Sequence, residues 1–400
     1  MKDKIKIAFV STPNYPIPAV KGGAIETLVS SLIDENEKIG KYDFTVFTIE
    51  DMLLDGCIQN LQNTKIIQIP HPSFCSKFIY IFYKIIRKLL FYKIPPKSFF
   101  MSKVNSFLAN EKFDIVFFES TLNEVLQANK ITPSRFVFHV HSDYLTNSTP
   151  GIMQIFKKCD AVVGVSNFIT RSIQNISGSE LSTFYTLHNA VDVESILASK
   201  SSISRNSIRQ KFHIENDEIV ILYCSRLSPE KGILELIKAV QKVDNCRLMV
   251  VGGANFSSSK VTPYVKELQK IAADLGDKVL FTGYVDHAHV YDYMKAADIA
   301  VVPSICNEAA SLTLLEFRAS NLATVASNRG GIPEYCSSET TVLVNANPDF
   351  VKNLSQAISL LVNNVDLREK MSAKSTDDLA FYNYQSYFKR FSDLVDKIIK

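Results

Sequence analysis

The amino-acid sequence predicts an α/β protein built from two doubly wound domains, each around a parallel sheet. Short runs rich in Val, Ile and Phe alternate with helical patterns along all 400 residues. These runs do not alternate apolar and polar positions, which is typical of parallel strands covered on both faces. They form two successive series separated by a short polar stretch, so we expect two domains rather than one large sheet.

The apolar runs give the predicted strands in chain order. The first series comprises Ile5–Val10, Phe44–Thr48, Lys65–Ile69, Asp114–Phe118, Phe136–His141, Ala161–Val165 and Phe184–Leu187. The second comprises Ile219–Tyr223, Arg247–Val251, Val279–Phe281, Ile299–Val302, Thr324–Ala326 and Val342–Val344. The polar stretch 199–206 lies between the two series and predicts domains at 1–198 and 205–382. We expect a C-terminal helix at about 383–400 to pack back on the first domain.

Composition and charge narrow the class of protein. The net charge of +3 is too balanced to indicate a nucleic-acid partner. Seven scattered cysteines without a C-x-x-C motif fit reduced thiols in a cytosol. The sequence shows no signal peptide and no uncharged apolar run of transmembrane length. We therefore expect a cytoplasmic protein.

Two glutamates stand out in the second domain. Glu308 and Glu316 follow a predicted strand, in N-E-A-A-S-L-T-L-L-E, where the pattern favours a helix. On a helix they would lie about 12 Å apart along the axis, too far for a glycosidase pair, which needs roughly 5–9.5 Å. They could hold the two ends of an elongated polar ligand such as a nucleotide sugar. The alternative is one buried and one solvated glutamate on an ordinary amphipathic helix.

Two cations follow the first strand of the same domain. Arg226 and Lys231 lie in I-L-Y-C-S-R-L-S-P-E-K-G, at the carboxyl end of that strand. Ligands of doubly wound folds bind at this edge, so the pair could neutralise a leaving diphosphate without a metal ion. Alone, they would be a solvated surface pair.

The first domain has two candidate features. Gly22-Gly23 follows a proline-rich loop and precedes a helix, where the backbone could approach an anion or simply make a turn. His139 and His141 share one face of a strand, and His141 lies at its carboxyl end. A metal site would need further ligands, and none has convincing spacing. The alternative for His141 is a hydrogen-bonded, partly buried imidazole.

Taken together, the motifs resemble the retaining GT-B glycosyltransferases of family 4. The matching stretches, in order, are K-G-G-A-I-E, H-S-D, V-S-N-F-I, H-N-A-V-D, S-R-L-S-P-E-K-G, F-T-G-Y-V, A-A-D-I-A-V-V-P-S, E-A-A-S-L-T-L-L-E and G-G-I-P-E. They cover nearly the whole chain, and those of the second domain are the more specific. The resemblance implies the GT-B fold, in which two facing Rossmann-like domains enclose an interdomain cleft.

The resemblance also implies roles for individual donor-binding residues. Glu308 would hold sugar hydroxyls near the anomeric carbon, and Glu316 would bind the ribose hydroxyls. Arg226 and Lys231 would bind the diphosphate of the donor. Backbone amides near Leu312 and Thr313 would also contact the diphosphate. Tyr284 and Val285, in the F-T-G-Y-V motif, would contact the base.

In the first domain, the resemblance places His141 beside the sugar and Gly23 near the diphosphate or acceptor. Glu308 and His141 are therefore the expected catalytic residues, and no metal or cofactor is expected. Ala309-Ala310 departs from the family, which has Gly or Pro and then an aromatic residue there, so the donor sugar is not predictable. Asn189-Ala190 replaces the usual Asn-Gly.

The implied function is retaining transfer of a hexose-type sugar from a nucleotide sugar, with UDP favoured over GDP. No covalent nucleophile is evident in the sequence, so we expect front-side attack by an acceptor hydroxyl. Two alternatives remain: a nucleotide-sugar epimerase of the same fold, and a non-catalytic partner subunit of an active transferase.

The acceptor is suggested by the segment 76–97, S-K-F-I-Y-I-F-Y-K-I-I-R-K-L-L-F-Y-K-I-P-P-K. On a helix, its basic residues form one stripe beside a broad apolar and aromatic face, which is typical of an interfacial helix on an anionic membrane. This pattern favours peripheral contact with the inner face of the plasma membrane. Together with the family resemblance, it implies a lipid-linked acceptor in bacterial surface polysaccharide assembly. The alternative is a buried crossover helix with a few solvated lysines.

Overall fold

The computed structural model describes residues 4–72, 98–130, 133–178, 183–198, 205–254 and 261–400. Two compact units are present. The first comprises Met1–Asn189 together with Tyr384–Lys400, and the second comprises Ala190–Asn383. Each unit is a parallel sheet with helices on its faces, so the predicted fold class is confirmed.

The first unit contains a seven-stranded sheet in which every pairing is parallel. Its strands are β1 (Ile5–Val10), β2 (Tyr42–Ile49), β3 (Thr64–Ile69), β4 (Ile115–Glu119), β5 (Arg135–Val140), β6 (Ala161–Gly164) and β7 (Phe184–Thr186). The order is β3-β2-β1-β4-β5-β6-β7, so it reverses between β1 and β4. In doubly wound sheets a ligand crevice opens at this switch point, outside the carboxyl ends of the strands.

The second unit contains a six-stranded parallel sheet with the same kind of reversal. Its strands are β8 (Ile219–Cys224), β9 (Cys246–Val251), β10 (Val279–Gly283), β11 (Ile299–Val302), β12 (Ala323–Ser327) and β13 (Thr341–Val344). The order is β10-β9-β8-β11-β12-β13, which places the switch point between β8 and β11.

The helices lie between these strands, as the alternating pattern predicts. Those of the first unit are α1 (Ala24–Ile39), α2 (Asp55–Ile58), α3 (Phe99–Asn110), α4 (Leu122–Gln127), α5 (Ile152–Lys158) and α6 (Asn167–Ser177). Those of the second unit are α7 (Val193–Ala198), α8 (Arg205–Lys211), α9 (Ile233–Val240), α10 (Pro263–Ala273), α11 (His287–Ala296), α12 (Leu312–Ala319), α13 (Phe350–Val362) and α14 (Val365–Lys374). The last helix is α15 (Tyr384–Ile399).

Strand β8 shows why its sequence is apolar without alternation. Ile221 and Tyr223 belong to one buried cluster, whereas Val220 and Leu222 belong to another on the opposite face of the sheet. All four side chains are at most 1% exposed. Both faces of this strand are therefore covered, and each position is an interior position.

The C-terminal helix α15 returns to the first unit and packs against α1. Phe391 lies 5.3 Å from Phe117 and 5.9 Å from Phe9 between ring centroids, which places it against the strands β4 and β1. Burial of aromatic rings in this geometry is strongly stabilising.

Each predicted strand is present, with ends that differ by at most a few residues. Residues 190–198, which the sequence analysis placed in the first domain, cluster with the second unit. Of the predicted boundary 199–206, residues 199–204 lie outside the described part of the chain, as does the segment 76–97. Among the described helices, none is both long enough and apolar enough to cross a bilayer.

Candidate functional site

A cluster of three polar side chains lies at the switch point of the second unit. Lys231, which follows β8, places its Nζ 2.6 Å from Oε1 of Glu308, which follows β11. The Ser304 hydroxyl donates to the same oxygen at 2.5 Å. The side chains of Lys231 and Glu308 are 18% and 13% exposed, so this ion pair is largely shielded from solvent. Shielding strengthens the attraction relative to a surface pair.

The loops that carry these residues are held together by backbone contacts. Gly232 has φ of +71°, and a Cβ there would lie 1.8 Å from the carbonyl oxygen of Pro303. Only glycine permits this approach. The backbone N–H groups of Ile305 and Cys306 donate to the carbonyl of Glu230 at 3.0 and 3.3 Å. The Lys231 loop and the Glu308 loop are therefore fixed against each other.

Glu308 lies in the loop before α12 and not on the helix, which corrects the helical spacing assumed from the sequence. Its carbonyl accepts a hydrogen bond from the Gly331 N–H at 2.7 Å. A Cβ at Gly330 would lie 2.3 Å from that carbonyl oxygen, so the two loops approach closely. The helix starts at Leu312, and the Ser311 hydroxyl caps it by accepting from the Leu314 N–H at 3.3 Å.

The amino end of α12 lies on the same loop as Glu308. Leu312 and Thr313 are its first two residues, and the first N–H groups of a helix have no intrahelical acceptors. No acidic side chain occupies the first turn. This end of the helix therefore favours an anion.

Glu316 lies one turn further along α12, beside the end of β8. Burial raises the pKa of the Cys224 thiol, and the negative charge of Glu316 raises it further. The predicted glutamate pair thus lies on either side of the helix start. Glu308 precedes the start, and Glu316 follows it.

Arg226 is more exposed than Lys231. Its guanidinium lies 3.4 Å from Oε1 of Glu230, and both side chains are about two-fifths exposed, at 41% and 42%. The Arg226 carbonyl accepts a hydrogen bond from the Tyr223 hydroxyl at 2.7 Å, which fixes the backbone here. An anion that reaches Arg226 would compete with Glu230 for the guanidinium.

Tyr284 and Val285 follow β10 on the same carboxyl edge of the sheet, with β9 between β10 and β8. Two strand spacings correspond to about 10 Å. Tyr284 is 42% exposed, whereas Val285 packs against the buried cluster of this unit. These residues therefore lie beyond the cluster of Lys231 and Glu308 along that edge.

In the first unit, Gly23 directly precedes α1 as its N-cap residue and has φ of +107°. A Cβ at this position would lie 2.2 Å from Oε2 of Glu26. The buried Glu26 accepts a hydrogen bond from the Thr12 hydroxyl at 3.1 Å, and burial raises its pKa. The positive φ favours glycine at this position, and any side chain there would require the Glu26 carboxylate to move.

A second polar cluster lies at the carboxyl ends of β4 and β5. Oε2 of Glu119 lies 2.9 Å from Nδ1 of His139 and 2.7 Å from Nε2 of His141. The two ring nitrogens are 3.1 Å apart. Glu119 pairs with His139 across the two strands, which explains the contact. Glu119 was not among the predicted site residues, although it and the two histidines stand at adjacent predicted strand ends.

The protonation of this cluster follows from its burial. Burial and repulsion from His139 lower the pKa of His141 to about 4. Burial alone would raise the pKa of Glu119, but attraction to His139 and hydrogen bonds from both histidines lower it to about 2. At neutral pH, Glu119 is therefore ionised and His141 is neutral.

The same three atoms lie close enough together to hold a metal ion. Histidine ligands almost always donate a hydrogen bond through their second ring nitrogen. Nε2 of His139 is buried and has no partner among the described residues. The three side chains therefore fit a hydrogen-bonded network better than a metal centre.

Comparison with known proteins agrees with this architecture. Residues 204–378, most of the second unit, match the family described as "Glycosyl transferases group 1". A glycosyltransferase from Rickettsia africae superimposes with a TM-score of 0.74 at 19% identity, covering 100% of this chain and 99% of that chain. Anabaena HepE, in complex with UDP, gives 0.75 at 16% identity, covering 98% and 100%. The chain has the GT-B fold.

Curated relatives support a glycosyltransferase. The putative glycosyltransferase YtcC of Bacillus subtilis is 25% identical over 99% of this chain and 93% of its own length. The lipopolysaccharide 1,2-N-acetylglucosaminetransferase of Salmonella typhimurium is 27% identical over 47% of this chain and 51% of its own length.

Within the second unit of this GT-B chain, the fold brings together only part of the predicted site. Lys231, Glu308 and the start of α12 converge, whereas Arg226 pairs with Glu230. Ser304 was not among the predicted site residues, although it lies in the V-V-P-S stretch at the end of β11.

Proposed function

We propose that this protein transfers a hexose-type sugar from a nucleoside diphosphate sugar to an acceptor hydroxyl, with retention of configuration. The observation that carries the proposal is the cluster of Lys231, Ser304 and Glu308 beside the amino end of α12. It lies at the switch point between β8 and β11, where doubly wound folds bind their ligands.

The donor diphosphate is assigned to the positive end of this site. Lys231 and Arg226 supply two cations, and the backbone amides of Leu312 and Thr313 supply the helix start. Charge builds up on the diphosphate as its bond to the sugar breaks, and preorganised donors stabilise that charge. Side chains and backbone thus take the place of a metal ion, and the proposed reaction needs no cofactor.

The donor sugar is assigned to Glu308. Its Oε1 accepts from both Lys231 and Ser304, so the carboxylate is oriented. Oε2, which accepts no hydrogen bond from the described part of the chain, is assigned to the sugar hydroxyls. Glu316, one helical turn beyond the diphosphate amides, is assigned to the ribose hydroxyls. Tyr284 and Val285, further along the sheet edge, are assigned to the base.

The proposed chemical step is a front-side substitution. The acceptor hydroxyl oxygen bonds to the anomeric carbon while the bond from that carbon to the diphosphate breaks, and the diphosphate leaves with the electron pair. The hydroxyl proton passes to the departing phosphate oxygen. From the first unit, His141 is assigned to the sugar and Gly23 to the diphosphate or acceptor.

UDP is the proposed nucleotide of the donor, a choice supported by the structures of HepE in complex with UDP and with UDP-glucose. GDP is the alternative nucleotide to test, because a GDP-mannose-dependent mannosyltransferase from Corynebacterium glutamicum is 26% identical over 62% of this chain.

The proposed acceptor is a lipid-linked saccharide of a bacterial surface polysaccharide. It is supported by the lipopolysaccharide relative and by the basic, apolar sequence of 76–97, for which membrane contact is proposed.

The test is a thermal-shift screen of UDP-, GDP- and TDP-sugars, followed by product analysis with the donor that binds. A donor at 100 times its Kd stabilises the folded state by about 2.7 kcal/mol, which is readily measured. We expect a UDP-sugar to raise the melting temperature and its sugar to appear on an added acceptor. The absence of a shift with every nucleotide sugar would contradict the proposal. Binding without transfer would favour a partner subunit, and an altered free donor would favour an epimerase.

A further inference from the structure

The hydrogen bond between Glu119 and His141 determines which ring nitrogen of His141 carries the proton. An ionised carboxylate only accepts hydrogen bonds. The 2.7 Å contact between Oε2 and Nε2 therefore requires a proton on Nε2. In a neutral imidazole, the other nitrogen, Nδ1, then carries a lone pair and acts as an acceptor.

His139 reinforces this arrangement from the other side of the carboxylate. Its Nδ1 lies 2.9 Å from the same oxygen, so it also donates, and two N–H groups converge on one buried negative charge. Glu119 is 1% exposed and His139 3% exposed, so water does not compete for these bonds. The orientation of the carboxylate is thereby fixed before any ligand binds.

The main chain of His141 is fixed as well. Its N–H donates to the Ser120 hydroxyl at 2.8 Å, and Ser120 directly follows Glu119. The side chain of His141 is 6% exposed. Among the described residues, none forms a hydrogen bond with Nδ1 of His141. This nitrogen lies at the carboxyl end of β5, one strand beyond the switch point of the first unit.

We propose that Glu119 is a positioning residue for His141, which it holds in the Nε2–H tautomer so that Nδ1 accepts a hydrogen bond from a hydroxyl of the bound sugar. This inference rests on the proposed transferase function for its ligand, but its structural half, the tautomer, is independent of that function. Neither Glu119 nor His139 contacts the reacting atoms; both act through His141.

The experiment compares the wild type with Glu119→Gln, using ring nitrogen NMR and donor kinetics. Glutamine keeps the size of glutamate, but its amide can either accept from Nε2–H or donate to Nε2, so it no longer dictates one tautomer. The matched control is Glu124→Gln, which changes another buried carboxylate of the first unit. Melting temperatures of both variants report on folding, and the tautomer of the wild type can be measured even if Glu119→Gln does not fold.

We expect Nε2–H in wild-type His141, a mixture of tautomers in Glu119→Gln, and a fall in kcat of about tenfold or more with little change in donor KM. The control should match the wild type in tautomer and kcat. The inference is overturned by an Nδ1–H tautomer in the wild type, by wild-type kcat in Glu119→Gln, or by a stoichiometric metal bound to both rings. If the wild type transfers no sugar at all, the proposed function fails, and the tautomer measurement still decides the structural half.

Discussion

Lys231 and Glu308 lie 77 positions apart in the sequence, yet they form a 2.6 Å ion pair at the switch point of the second sheet. A glycine that approaches a backbone carbonyl and a serine that shares the carboxylate oxygen hold this pair in place. The pair links the cation assigned to the diphosphate with the carboxylate assigned to the sugar. Its disruption should therefore affect donor binding and chemistry in separable ways.

The two glutamates should give different kinetic losses. We expect Glu316→Ala mainly to raise donor KM, because it removes the proposed contacts with the ribose, which does not react. We expect Glu308→Ala mainly to lower kcat, because it removes the proposed contacts close to the anomeric carbon. Steady-state kinetics with the donor varied measure both effects. The reverse pattern would overturn both assignments.

Ser304→Ala should reduce kcat without abolishing donor binding. It removes a 2.5 Å hydrogen bond to the Glu308 carboxylate, and bonds to charged groups contribute about 1.5–3 kcal/mol. We expect kcat to fall by about tenfold or more, with donor KM changed much less. The control is Ser338→Ala, at an exposed position of the same unit. A Ser304→Ala enzyme with wild-type kcat would show that Glu308 is oriented without this bond.

Gly232→Ala should be considerably more harmful than Gly276→Ala. Both glycines have positive φ, +71° and +55°, so each substitution carries strain of about 1–2 kcal/mol. A Cβ at Gly232 would also meet the Pro303 carbonyl at 1.8 Å, whereas one at Gly276 meets nothing within 4 Å. We expect Gly232→Ala to lose more unfolding free energy than Gly276→Ala. Only Gly232→Ala should also bind the donor more weakly. Equal losses of unfolding free energy for the two variants, measured by chemical denaturation, would mean that the Lys231 loop and the Glu308 loop separate easily.

Stability should fall in acid because of the cluster in the first unit. The pKa of His141 is lowered from 6.5 to about 4. The free energy by which neutral His141 stabilises the folded state is therefore fully present above pH 6.5 and is lost as the pH falls towards 4. The lowered pKa of Glu119 adds a further loss between 4.5 and about 2. Glu26, which lies nearby, has the opposite effect on stability. Because burial raises its pKa, the free energy by which it stabilises the folded state declines as the pH rises above 4.5.

The difference between wild type and His141→Gln isolates the first of these losses. We expect the unfolding free energy of the wild type to drop by on the order of 1–3 kcal/mol more than that of His141→Gln between pH 7 and pH 4. Urea denaturation at several pH values measures it. Parallel pH profiles for the two proteins would show that His141 is not buried in its neutral form.

The strands were predictable because both faces of each sheet are covered. In β8, four successive buried residues leave no polar alternation, and such runs can be recognised without knowing the topology. Arg226 and Lys231 could be placed after the carboxyl end of this strand because the apolar run stops just before them.

The contacts among side chains were not predictable in the same way. Glu119 meets His141 because β4 and β5 are neighbours in the sheet and Glu119 lies opposite His139. Ser304 meets Glu308 because of a loop conformation. The helical placement of Glu308 was wrong, since its carbonyl is held by the Gly331 N–H and α12 starts only at Leu312. Tertiary contacts overrode local helix propensity here.

We propose that the second unit binds a donor diphosphate through Lys231. The most direct measurement is calorimetric titration of UDP into the wild type, Lys231→Met and the control Lys238→Met, whose lysine is exposed on α9. A charge-assisted contact to a phosphate contributes about 1.5–3 kcal/mol, so we predict a Kd raised by about tenfold to a hundredfold for Lys231→Met and unchanged for Lys238→Met. Equal affinity of the wild type and Lys231→Met for UDP would contradict the account.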